Sequence, residues 1–389
     1  MKEGWEYKKL GVVTKQIRGV SYKPTDLSSN LIDKYVTLLR ANNIQDTITF
    51  DDVQYVDRRK VNDKQYLKSG DILICASSGS KNLVGKAAQC KAALDACFGA
   101  FCKVVRPINI NNQYVGHFFQ SNIYKKQIFE KARGANINNI KNEDLDNILI
   151  PVPPLPIQKQ IVSHLDKLNE ILDKLRDTLN VLDKAEQAIF YDMFGDPVEN
   201  EKGWEIKKVK DIATVVGGST PKTNVEEYWN GDLNWITPAE LVGSMYLNDS
   251  VRKITNKAVQ KTNLTLLPVG TVILSSRAPI GKIAISNIPT YCNQGFKNII
   301  CSSYISNIYV YAYLKCRVDY LISLGRGATF KEISKTIVEN IPIPLPPLSL
   351  QQTFAARITT IEAQKQKLTT SIAKFQEMLD GAMDNYFSD

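Results

Sequence analysis

The sequence predicts an α+β protein in which two pseudo-twofold-related, mixed α/β globular domains are separated by two long antiparallel coiled-coil helices. Three observations lead there. Residues 133–156 read RGANINNIKNEDLDNILIPVPPLP and residues 326–349 read RGATFKEISKTIVENIPIPLPPLS, with 11 of 24 positions identical at a constant shift of 193. The opening Gly4-Trp5-Glu6-Tyr7-Lys8-Lys9-Leu10 returns as Gly203-Trp204-Glu205-Ile206-Lys207-Lys208-Val209, a shift of 199, so the copies differ by six residues between these anchors. Each copy then closes on a proline-rich run followed by a long heptad pattern. Two large repeats predict a pseudo-twofold molecule, since a solenoid needs more and shorter ones.

The expected boundaries are 1–150 for the first globular domain, 151–197 for a hinge and central helix, 198–343 for the second globular domain, and 344–389 for a hinge and C-terminal helix. Gly70-Asp71-Ile72-Leu73-Ile74-Cys75 is a β-branched run suited to a buried strand, with Gly270-Thr271-Val272-Ile273-Leu274 as its counterpart. Both run into polar, glycine-containing loops at 76–86 and 275–282, and helices are expected at 116–131 and 306–323. The prolines of 151–156 and 342–347 lack a backbone donor and bias the residue before each to extended backbone, which predicts stiff polyproline-like struts.

After each strut the apolar spacing alternates between four and three. The first seam is Ile161, Leu165, Leu168, Leu172, Leu175, Leu179, Leu182, Glu186, Ile189 and Met193; the second is Phe354, Ile358, Ile361, Lys365, Leu368, Ile372, Phe375, Leu379, Ala382 and Tyr386. Such narrow seams seek a partner helix. About 35 residues make a rod of roughly 50 Å, and antiparallel pairing of the two rods is the simplest closed arrangement. Glu186 and Lys365 interrupt the apolar seams. An antiparallel pair centred near residue 177 brings them within one turn, so they either pair and help select the register or both snorkel to water at the seam's edge.

Composition narrows the function. The 389 residues are 43% apolar and 23% charged, enough for two or more domains with real cores. No run approaches the roughly 18 apolar residues of a membrane span, and the first ten residues lack the apolar core of a signal peptide, so a cytoplasmic location is expected. Seven cysteines without a CxxC pair predict reduced, buried thiols, and two separated histidines, His117 and His164, argue against a zinc site. There is no phosphate-binding GxxxxGK[ST], no GxSxG and no GxGxxG after a strand, so no catalytic or metal-ligating residues are assigned.

A net charge of +9, from 49 Lys and Arg against 40 Asp and Glu, favours a polyanionic partner. The loops carry arginine, lysine, amide and hydroxyl side chains able to meet base edges and phosphates. In the first copy the candidates are Arg18, Ser21, Lys23, Ser78, Ser80, Lys81, Lys86, Arg133, Asn136 and Asn138. In the second they are Thr220, Lys222, Thr223, Ser276, Arg277, Lys282, Asn293, Gln294, Arg326, Thr329 and Lys331. Each loop taken singly also fits an ordinary solvated surface; two sets in corresponding places favour DNA.

The Pro-Pro-Leu-x-x-Gln runs at 153–158 and 346–351, the Gly-Trp-Glu openings, Asn293-Gln294-Gly295-Phe296, the Met193-Phe194-Gly195-Asp196-Pro197 junction and the heptads together resemble the specificity (S, HsdS) subunit of type I restriction-modification systems. The resemblance covers essentially the whole chain. It implies that each globular part is a target recognition domain reading half of a bipartite double-stranded DNA site. It also implies that the helices form a spacer docking two methyltransferase subunits, with restriction/translocase subunits joining. The cofactors S-adenosylmethionine, ATP and Mg then belong to those partners, with none on this chain. A non-catalytic coiled-coil scaffold without DNA specificity is the alternative.

Overall fold

The computed structural model describes residues 4–80, 83–133, 139–327 and 331–388, with the side chains of 131–133 left aside. The candidates Lys81, Asn136, Asn138 and Thr329, and the Arg133 side chain, lie outside the described residues. Two compact units divide the chain, residues 1–175 with 371–389 and residues 176–370.

In the first unit, Ile72–Cys75 is the buried centre of a four-stranded antiparallel sheet ordered Thr14–Arg18, Cys102–Pro107, Ile72–Cys75, Ala87–Gln89. All four residues of that central strand are buried because both sheet faces are covered. Ile72 and Ile74 point into a core with Tyr114 and Phe118, whereas Leu73 and Cys75 point into a second core with Leu39 and Phe98. A second sheet, ordered Leu27–Ser28, Gln54–Asp57, Tyr35–Leu39, Ala96–Phe98, ends in a parallel pair.

The second unit repeats the plan. Its main sheet runs Ala213–Gly217, Lys297–Cys301, Val272–Leu274, Ile283–Ser286, Tyr246–Leu247, with Val272 and Leu274 on one core and Ile273 on the other. The smaller sheet, Arg252–Ile254, Trp229–Ile236, Tyr291–Cys292, again ends in a parallel pair.

The proline runs are not struts. Leu149–Val152 pairs antiparallel with Glu6–Lys9, and Pro342–Leu345 pairs with Glu205–Lys208, so the opening and closing anchors of each repeat meet. Proline fits because only alternate residues of a strand in a two-stranded ladder donate inward. The outward carbonyls are capped by tyrosines: Tyr114 Oη donates to Pro151 O at 2.8 Å and Tyr309 Oη to Pro344 O at 2.6 Å. The motif glutamines lock the next step. Gln158, 3% exposed, donates to Pro153 O and accepts from Asn111 N; Gln351, fully buried, does the same with Pro346 O and Ser306 N.

The two expected medium helices are each divided. Asn112–Gln120 and Asn122–Arg133 meet at Ser121, whose hydroxyl donates to Phe118 O and accepts from Tyr124 N. Asn307–Cys316 and Val318–Ser323 meet at Arg317, which donates to Pro197 O. The long helices are 40 residues each, Leu155–Phe194 and Leu348–Phe387.

Their seams are wider than a coiled coil at the ends. In the first unit Leu165, Leu168 and Leu172 share a core with Leu379, Met383 and Phe387, while Ile372 and Phe375 pack at its edge. His164 Nδ1 bonds Tyr386 Oη at 2.9 Å, consistent with antiparallel neighbours. In the second unit Phe190 and Phe194 pack on Phe354, with Ile358 and Ile361 alongside. Leu175, Leu179, Leu182 and Leu368 are only half-buried. The terminal Phe387 therefore plugs the core of the first domain, and Phe194 that of the second.

Candidate nucleic-acid interface

The same backbone hydrogen bonds build one loop cluster in each unit, which aligns the two sets residue by residue. Val20 N donates to Phe98 O and Ser219 N to Cys292 O; Gly99 N donates to Leu39 O and Asn293 N to Ile236 O. Ala76 N donates to Phe101 O and Ser276 N to Gly295 O; Cys75 N donates to Lys86 O and Ser275 N to Lys282 O. The crossing is tight enough to require glycine. A Cβ on Gly19 would lie 2.1 Å from Gly99 O, and one on Gly218 would lie 2.0 Å from Asn293 O.

It follows that Ser21 and Thr220, Lys23 and Lys222, and Lys86 and Lys282 occupy equivalent places. Ser77 matches Arg277, Gly99 matches Asn293, and Gln294 stands where the first copy has Ala100, so its side chain has no counterpart.

In the second unit the cluster is polar and internally bonded. Gln294 accepts a hydrogen bond from the Thr220 hydroxyl, and Asn293 Oδ1 accepts from Gly295 N at 2.9 Å. Arg277 Nε donates to Glu332 Oε2 at 3.0 Å, and Lys297 Nζ lies 3.2 Å from Glu332 Oε1. Burial opposes the charge on Glu332, but Lys297 and Arg277 outweigh it and hold the carboxyl below its ordinary range. The backbone of Arg326 exchanges two hydrogen bonds with that of Glu332. Lys282 Nζ donates to Pro238 O at 3.2 Å. Ser276 is fully buried and accepts from Lys297, so it supports the loop from beneath. Lys222, Thr223, Arg326 and Lys331 are exposed. Near Lys222, whose carbonyl accepts from Trp229 Nε1, the Arg252 guanidinium lies 3.8 Å from the Trp229 ring.

In the first unit Arg18, Ser21, Lys23, Ser80 and Lys86 are exposed and Ser78 is half-buried. Lys86 Nζ donates to Gln45 Oε1 at 3.2 Å, just beyond the turn that follows the parallel strand, whereas Lys282 bonds the equivalent turn itself. That turn, Ala41–Asn43, follows Arg40, and its counterpart Pro238–Glu240 follows Thr237. Arg40, Asn42 and Phe101 line the cluster with Tyr22 and Ser78. The sequence reading missed Arg40, Asn42 and Phe101. The signal that identified the other loops, a β-branched strand running into polar residues, is present at Tyr35–Leu39 as well.

Among the described residues no group of three or more His, Cys, Asp or Glu is placed to hold a metal ion, and no helix is long and apolar enough to cross a membrane. All seven cysteines are unpaired; burial pushes Cys75 up to about 11 and Cys102 to about 12, which keeps both as thiols.

The model of the type I restriction modification DNA specificity domain matches residues 2–183 and again 201–374, one match to each repeat. The type I restriction enzyme MjaIX specificity subunit of Methanocaldococcus jannaschii is 39% identical over 183 residues, 46% of this chain and 41% of that one. The type I restriction enzyme EcoKI specificity subunit of Escherichia coli is 42% identical over 177 residues, 45% of this chain and 38% of that one. Both matches thus span about two fifths of the relative's length. The solved type I restriction-modification system S subunit from M. genitalium shares the fold at a TM-score of 0.60 and 14% identity, over 99% of this chain and 96% of that one. With both repeats matched across most of its length, the chain belongs to the type I restriction modification DNA specificity domain family.

Proposed function

We propose that this chain is the DNA sequence-specificity subunit of a type I restriction-modification enzyme, recognising an asymmetric bipartite double-stranded target through two target recognition domains. The observation that carries this reading is the pair of loop clusters, equivalent in backbone and different in side chains. Equivalent frames present two surfaces to DNA, and different furnishings give each surface its own sequence. The domains fall at residues 1–150 and 198–343, with 151–197 and 344–389 carrying the ends of the closing strands and the long helices.

The chain supplies recognition and no bond-making step. Methyltransferase subunits, two of them, and restriction/translocase subunits dock on it. S-adenosylmethionine, ATP and Mg act on those partners. Binding is expected to weaken steeply with salt, because lysines such as Lys23, Lys86, Lys222 and Lys282 displace counterions from phosphates. Two measurements test the reading: a salt titration of the chain on duplex DNA, and sequencing of the sites methylated when it is expressed with its methyltransferase. A coiled-coil scaffold would give neither salt-dependent DNA binding nor a sequence-defined methylation pattern.

A further inference from the structure

The two loop clusters share one backbone frame and line it differently. In the second unit Arg277 and Asn293 stand on that frame. In the first, the equivalent places hold the smaller Ser77 and Gly99. What remains is a cleft of about 290 Å³ lined by Tyr22, Arg40, Asn42, Ser78, Gly99 and Phe101. Phe101 is 67% exposed on its rim, an aromatic face left in water beside polar groups.

Arg40 is the cation among the described residues of that lining. Its Nη2 donates to Asp52 O at 2.7 Å and to Asp52 Oδ2 at 3.1 Å, which aims the guanidinium. Its Nη1 makes no hydrogen bond among the described residues, and its Nε is buried without a partner, so the fork is not fully used by the protein. A guanidinium donates and never accepts, hence its ligand must present acceptors. Phosphate is the poorer fit, because the Asp52 carboxylate, 84% exposed, sits beside the cation and repels a second anion. A neutral base edge with two adjacent acceptors suits the pair better, and guanine O6 and N7 are such an edge.

We propose that Arg40, braced by Asp52, is the guanine-reading side chain of the first domain, with the base edge entering the cleft beside Phe101. The equivalent position in the second domain is Thr237, and Arg277 and Asn293 stand where the first has Ser77 and Gly99, so the two half-sites are read by different chemistry from one frame. This inference rests on the DNA-specificity reading above.

The test is to sequence the methylated sites produced by the full chain with its methyltransferase subunits, comparing the parent with Arg40→Gln and Arg40→Lys. The lysine variant keeps the charge and loses only the fork. Both variants are expected to relax preference for one guanine of one half-site by about 5- to 150-fold, leaving the other half-site as in the parent. An unchanged target in the folded Arg40→Lys variant overturns the proposal, as does a uniform loss of methylation with every base preference kept, or a parent target whose first-domain half lacks guanine. Absence of any sequence-defined methylation by the parent would instead sink the DNA-specificity reading itself.

Discussion

Arg277 and Lys282 stand close in sequence and are held very differently. Arg277 is aimed by Glu332 through its Nε, and its two terminal nitrogens make no hydrogen bond among the described residues. If it meets a base edge, Arg277→Ala should cost about 1–3 kcal/mol and relax one position of the second half-site. Glu332→Gln should weaken the same position less, since it removes the brace and keeps the fork. Lys282 leans on the Pro238 carbonyl, and a phosphate role predicts that Lys282→Ala weakens all sequences alike and reduces the salt slope by about one. A competition assay across a base-substituted site, repeated at several salt concentrations, separates the two patterns; identical curves for both variants and the parent would remove these residues from the interface.

Along the long helices the seam is apolar in the first unit and charged in the second. Leu172 and Leu379 are buried in the first-unit core, and their repeat equivalents are Lys365 (172 + 193) and Glu186 (379 − 193). The pair is present: Lys365 Nζ lies 3.1 Å from Glu186 Oε1, with Asp183 at 2.7 Å and Glu362 also bound, and Lys315 lies 3.5 Å from Glu186. Burial first, and the Glu362 carboxyl second, push Glu186 up to about 7 against the pull of Lys365 and Lys315. Because this folded pKa exceeds the unfolded value, the contribution of Glu186 to stability is full below about pH 4.5 and is lost as pH rises through 7. Glu186→Gln should therefore flatten the pH dependence of the melting temperature between pH 4.5 and 7. Combined with Lys365→Met in a double-mutant cycle, it should reveal a coupling of about 0.5–3 kcal/mol; a coupling of zero would mean that the pair plays no part in holding the register.

For the molecule as a whole, divergent loops on a repeated frame predict modular specificity. Exchanging residues 1–150 for the corresponding domain of another member of the family should replace one half of the methylated target and leave the other half unchanged. The closing strand Leu149–Val152 pairs with Glu6–Lys9 inside the exchanged segment's own frame, so the graft should carry at least residues 1–152 to keep that ladder intact. Simultaneous change of both half-sites would show that the two readers are not independent.

The repeat, the buried central strands and the long helices were legible in the sequence because they rest on local periodicity and on residues that recur at a fixed shift. Glu186 and Lys365 could be placed within one turn of each other for the same reason, since heptad geometry converts sequence spacing into register. The proline runs were misjudged as struts: missing donors are visible locally, whereas the Glu6–Lys9 and Glu205–Lys208 partners lie some 140 residues away. Ser276 looked like a surface hydroxyl and proved fully buried, because the strand preceding it continues under the Gly295 loop. Arg40 and Phe101 meet only through the parallel pairing of Tyr35–Leu39 with Ala96–Phe98. Sequence alone thus determined a duplicated frame and its helices, while long-range strand pairing decided which loop residues stand together at each reading surface.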